Sequence, residues 1–140
     1  FNANRISQQD YSLENYVEQV NRASVDVAFK AASRFEQDHP GEKVWIAGAI
    51  GPTNRTCSLS PDVQNPAYRA LEFDEIAETY LEQARALMDA GADLLMFETT
   101  FDTLNLKAGI YAVEKLNDLY GRRTPVMLSV TITDASGRTL

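Results

Sequence analysis

The stretch DLLMFETTFDT, residues 93–103, decides the fold. The apolar residues Leu94, Leu95, Met96 and Phe97 follow one another with no polar alternation, the pattern of a strand buried on both faces. That run, over residues 93–98, ends on Glu98, with Asp102 close behind. A carboxylate in an apolar setting needs hydrogen-bond donors, a cation or a proton, because desolvation otherwise costs several kcal/mol.

Reading outward from this strand gives helices on either side. Upstream, Ile76, Tyr80, Leu81, Ala84, Leu87 and Met88 step by threes and fours, and Gly91 stands where a helix C-terminal cap is expected. Downstream, Leu104, Ala108, Tyr111, Ala112, Leu116 and Leu119 mark another helix, and GRRTP turns the chain into VMLSVT, a further apolar strand. Earlier still, VWIAGAI from Val44 reads as a buried strand closed by GPTN. A long amphipathic helix from Leu13 to Phe35, stopped by DHPGEK at 38–43, precedes it. The order is helix, strand, helix, strand, helix, strand, which calls for α/β architecture with a parallel sheet covered by helices.

A repeat of about 30 residues per strand and helix fits a (β/α)8 barrel. A doubly wound sheet has the same local pattern, and the pattern alone leaves the two open. The chain opens on a helix with no strand before it, lacks an initiator Met and stops just beyond a strand. Residues 1–140 are therefore expected to be one partial domain, the central part of a barrel, with about three strands and three helices.

Composition narrows the partners. With 13 Lys plus Arg against 20 Asp plus Glu, the net charge is -7, and nucleic acid or an anionic membrane would be repelled. No apolar run approaches the roughly 18 residues of a membrane span, and FNANRISQQDY is unlike a signal peptide, so the cytoplasm is the expected location. The single cysteine, Cys57, excludes an internal disulfide and a self-contained thiolate metal cluster.

In barrels and open sheets alike, ligands bind beyond the carboxyl ends of the strands. Three segments lie there: GPTNRTCSLSPD, ETTFD and TITDASGRT. Glu98, at that edge, is placed to hold a substrate ammonium group or act as an acid or base; the competing role is a structural one, accepting bonds from a neighbouring loop's N–H groups. Asp102 precedes TLNLK and is better suited to capping the helix. Gly51-Pro52 permits either close backbone approach to a ligand or a tight turn. Asp134 with Ser136 and Gly137 has the composition of an Asp-stabilised turn, set evenly against a substrate-facing role. GAIGPTN contains neither a dinucleotide fingerprint nor a P-loop lysine, so phosphate cradling by those devices is unsupported. Cys57, in a polar loop, and His39, in DHPG, lack partners for metal binding or nucleophilic chemistry.

FNANRISQQDY, AGAIGPTNRTCSLSPDV, FDEIAETYLEQARALMDAGADLLMFETTFDTLNLKA and PVMLSVTITDASGRTL together resemble the homocysteine-binding domains of cobalamin-dependent methionine synthases, over practically the whole chain. The resemblance implies a (β/α)8 TIM barrel, with this chain running from the helix after the second strand to the exit of the fifth. It implies methyl transfer from methylcobalamin to homocysteine, giving methionine, with 5-methyltetrahydrofolate as ultimate donor and cobalamin and folate domains as partners in the parent chain. In such enzymes a zinc ion held by three cysteines of later strands keeps the homocysteine thiol ionised; this sequence stops before those strands, and Cys57 is not at a zinc position. Glu98 then matches the acidic residue that holds the homocysteine amino group, while Asn2 in FNANR, Thr131 and Asp134 would line the same mouth. The alternatives are a zinc-dependent homocysteine methyltransferase using betaine or S-methylmethionine, against which TCSLSPDV and TITDASGRTL argue, and a non-catalytic α/β interaction module.

One outcome follows from the cysteine count. After dialysis, metal analysis of the isolated segment is expected to give no stoichiometric zinc, since lone Cys57 and lone His39 cannot supply a tetrahedral site. One tightly held ion per chain would contradict this.

Overall fold

The structure, a computed structural model, describes residues 1–132, 134–137 and 139. Thr133, Arg138 and Leu140, in the expected segment beyond the last strand, lie outside the described residues. The chain forms a short helix α1 (Arg5–Gln8), two single 3-10 turns (Gln9–Tyr11 and Glu14–Tyr16), then α2 (Val17–Asp38), β1 (Ala47–Ile50), α3 (Phe73–Asp89), β2 (Leu94–Thr100), α4 (Thr103–Tyr120) and β3 (Val126–Val130). The strands make a parallel sheet in the order β1-β2-β3, with Ala47 opposite Leu94 and Leu95 opposite Val126.

Sequential strand order with the helices on one face is the winding of a barrel, since a doubly wound sheet carries helices on both faces. Gly48, Ile50, Leu95, Phe97 and Thr100 are the buried residues of β1 and β2, and this face meets α3 and α4. A Cβ added at Gly48 would lie 3.1 Å from Leu87 Cδ1, and one at Gly109 only 2.8 Å from Phe97 Cζ. Tyr80 completes the layer, its ring edge-on to Phe97 at 5.8 Å. Between α3 and α4 the fully buried Ala84, Ala108 and Ala112 let the helices approach, while Ile76, Leu87, Val113 and Leu116 fill the space to the sheet.

Helix ends follow local chemistry. Glu72 and Glu75 form a reciprocal capping box at the start of α3. Its C-terminus closes on Gly91 at φ 98°, a left-handed position that favours glycine, as the sequence leads one to expect.

Three expectations shift. The first long helix begins at Val17, after a 3-10 turn, rather than at Leu13, and runs on to Asp38. Its buried stripe is Val17, Asn21, Val25 and Ala32, narrower than the apolar periodicity suggests, and Val20, Val27 and Phe35 face outward. The first strand starts at Ala47 rather than Val44, because side chains take the place of the ladder before it: Glu36 Oε1 accepts from Val44 N at 2.9 Å and Asp93 Oδ2 from Ile46 N at 2.8 Å. Nor are the strands buried on both faces within this chain: Ala47 is exposed, and in β3 Met127, Leu128 and Val130 are exposed. Among the described residues, helices cover one side of β1 and β2 only. Among the described residues no helix is long and apolar enough to cross a membrane.

Gly109→Ala is expected to destabilise the protein by about 1–3 kcal/mol through overpacking against Phe97. Thermal unfolding of the intact protein measures it, and Gly109→Ala combined with Phe97→Leu should recover part of the loss.

Candidate functional site at the carboxyl edge of the sheet

The chain breaks its strand pattern where β2 ends. Phe97 pairs with Leu128 and Thr100 with Val130, so Glu98 and Thr99 together stand opposite Ser129 alone. This is a β-bulge, and Thr99 takes the left-handed conformation at φ 57°, which is costly for a β-branched residue. The extra residue resets the alternation. Phe97 and Thr100 are both buried, as their partners two residues apart on β3 require, whereas Glu98 is half-buried and belongs with Met96 to the opposite face.

On that face the Glu98 carboxylate has no hydrogen-bond or ion-pair partner among the described residues. Among the described residues it accepts from no neighbouring loop, the competing structural role. Asp102, four residues on, is the opposite case. It is buried and saturated: Oδ1 accepts from Leu104 N at 2.9 Å and Asn105 N at 3.2 Å, capping α4. Ser58 adds its N–H to Oδ2 at 3.0 Å and its hydroxyl to Oδ1 at 2.7 Å.

The same helix turn holds the long loop after β1 by a second residue. Asn105 Oδ1 accepts from Cys57 N at 2.9 Å, and its Nδ2 donates to Thr53 Oγ1 at 3.2 Å and Arg55 O at 3.0 Å. Residues 53–58 are thereby fastened to the start of α4, with Thr53, Cys57, Asp102 and Asn105 all buried. Burial first, and then the negative Asp102, pushes the Cys57 thiol pKa up, away from nucleophilic use. Burial likewise raises the Tyr80 phenol, whose hydroxyl donates to Gly51 O at 3.4 Å. The sequence reading of Asp102 as a cap holds, but it missed Ser58 and Asn105. The available signal was Asn in DTLN, three residues after the cap, where a polar side chain can turn outward from the helix start.

Gly51 serves close approach, though to protein rather than ligand. A Cβ there would sit 2.9 Å from the Phe1 ring, and Gly51 N donates to Phe1 O at 3.1 Å. This pairing brings the FNAN segment to the same sheet edge. Asn2 is exposed, with its carbonyl accepting from Gln8 Nε2 at 2.9 Å. Asn4 instead is fully buried and caps α1 through Ser7 N. Thr131 reaches the edge by donating its N–H to Thr100 O at 2.7 Å. Asp134 is exposed and its carboxylate accepts from Ser136 N at 2.7 Å, while Gly137 N donates to its carbonyl at 3.2 Å; this is the turn that the composition suggested. His39 lies on the surface at the far end of α2, stacked on Phe35 at 4.1 Å.

Donor chemistry does not fit a zinc site in this chain. The sequence has one cysteine and one histidine, Cys57 is buried against Asn105, and no group of three or more His, Cys, Asp or Glu among the described residues is arranged to hold a metal ion.

The family model described as Homocysteine S-methyltransferase matches residues 1–140, and the chain belongs to that family. Its fold resembles that of the homocysteine methyltransferase MmuM from Escherichia coli. The apo form matches with 25% identity and a TM-score of 0.61, over 84% of this chain and 38% of that one. The oxidized form matches with 23% identity and a TM-score of 0.70, over 99% of this chain and 47% of that one. The chain thus spans less than half the length of these solved structures, and its three parallel strands are part of a TIM-barrel-like fold.

Asp102→Ala should cost about 2–3 kcal/mol, from the lost cap and the lost bonds to Ser58. Limited proteolysis of the intact protein is expected to cut faster within residues 53–72, while Asp102→Asn, which keeps one acceptor, falls between the two.

Proposed function

Starting from that family membership, we propose that this chain forms the wall of a homocysteine pocket that receives the amino-acid end of the substrate. The observation that carries the reading is Glu98, a carboxylate without a partner among the described residues, at the carboxyl edge of β2 on the face away from the helices. Homocysteine carries an ammonium and a carboxylate at one end and a thiol at the other. An ammonium docked on Glu98 gains a charge-assisted bond and compensates the half-buried carboxylate. Holding that end fixes where the thiol can reach, so the contribution of Glu98 is to binding and orientation.

The rim is assigned to Asn2, Thr131 and Asp134. Of these, Asn2 and Thr131 are better placed to meet substrate, because the Asp134 carboxylate is already engaged by Ser136. The fastened loop 53–58 gives the mouth a fixed wall on the β1 side.

For the reaction we assign methyl transfer from methylcobalamin, with 5-methyltetrahydrofolate as ultimate donor, to the homocysteine thiolate, giving methionine. Support for this donor comes from GPTNRTCSLSPDV, ETTFDTLN and TITDASGRTL, which resemble cobalamin-dependent methionine synthases. On this reading cobalamin and folate domains belong to the same parent protein. Thiol activation by zinc falls outside the reach of this chain's donors, and no step is assigned to its residues for it.

In the intact enzyme Glu98→Gln is expected to raise the KM for homocysteine and leave metal content unchanged. A charge-assisted bond contributes about 1.5–3 kcal/mol, so kcat/KM should fall by roughly tenfold to a hundredfold. A thiol lacking the amino group should lose nothing by the change. Equal defects on both thiols would remove Glu98 from the substrate site.

A further inference from the structure

We infer that Thr99 is a positioning residue: its left-handed backbone holds the β2 bulge in the one form that turns Glu98 to the substrate face. This rests on the reading of Glu98 as the ammonium partner and adds to it the device that aims the carboxylate. Three observations meet at this place. Glu98 and Thr99 share one slot opposite Ser129, so the bulge is built from the carboxylate and its neighbour. Both flanks are locked, Phe97 by burial beneath Gly109 and beside Tyr80, and Thr100 by burial and by its carbonyl accepting from Thr131 N. Between the locks, Thr99 is exposed and has φ 57°.

Phe97 and Thr100 both point to the helix side, although three positions separate them where regular alternation would allow two or four. One residue between them must therefore leave the alternation, and it does so by adopting a positive φ. Glycine would do so without strain. Threonine at the same φ is strained but restricted, because its branched side chain leaves few neighbouring conformations. Strain maintained at a ligand-facing edge by locked flanks is the pattern of a preorganised site. The alternative is that the bulge only routes the chain from β2 to the Asp102 cap, in which case the identity of residue 99 would affect stability and nothing else.

The test uses the intact enzyme and two thiols, homocysteine and 4-mercaptobutanoate, which lacks the amino group. Thr99→Gly should raise or maintain the melting temperature by relieving strain, yet raise the KM for homocysteine by about tenfold as the carboxylate loses its fixed direction. The KM for 4-mercaptobutanoate should stay unchanged. Thr99→Asn, which tolerates positive φ while restricting it more than glycine, should restore most of the homocysteine affinity. A Thr99→Gly enzyme with the wild-type ratio of KM values for the two thiols would overturn the inference. Glu98→Gln, measured in parallel, separates the levels. If Glu98→Gln discriminates between the thiols and Thr99→Gly does not, the positioning role alone falls; if Glu98→Gln affects both thiols equally, the ammonium reading and the positioning role fall together.

Discussion

The close approach of Phe97 to α4 is the contact on which the rest of the structure depends. It exists because residue 109 is glycine, so the helix lies directly over the aromatic ring. With Phe97 committed to the helix layer, the neighbouring Glu98 has to face the other way, and the chain must still return Thr100 to the buried side. The bulge at Glu98 and Thr99 resolves that conflict locally. It also delivers Asp102 to the head of α4, where the cap and the loop anchor form together. A packing constraint between a ring and a backbone thus sets the direction of a carboxylate one residue away.

Two carboxylates four residues apart have been put to opposite uses, and the difference is one of satisfaction. Asp102 accepts from four donors and is almost wholly buried, an arrangement that is favourable only because each oxygen is bonded. Glu98 keeps partial access to solvent and no protein partner among the described residues, an arrangement that is tolerable while water or a cationic ligand can reach it. The saturated group fastens the loop and the helix. The unsaturated one makes no such bond among the described residues.

The chain covers less than half the length of the homocysteine methyltransferase structures it resembles. Leu128 and Val130 of β3 lie on the side that helices cover in β1 and β2, yet both are exposed. The lone cysteine is engaged in fixing a loop.

The amino-acid sequence by itself determined the order of helices and strands, the parallel sheet, the cap at Asp102 and the edge on which Glu98 stands. These follow from local periodicity, turn residues and the rule that parallel strands expose their carboxyl ends to ligands. Its motifs also carried the family. Only the tertiary structure decided that β1 begins at Ala47, because the displacing acceptors Glu36 and Asp93 come from other elements. The same holds for Ser58 and Asn105, whose bonds join segments more than 40 residues apart, and for Gly51, whose missing side chain makes room for Phe1. The bulge at Thr99 was equally hidden. Nothing in TT announces a positive φ, which arises when packing against α4 on one side and pairing with β3 on the other fix both flanks out of step.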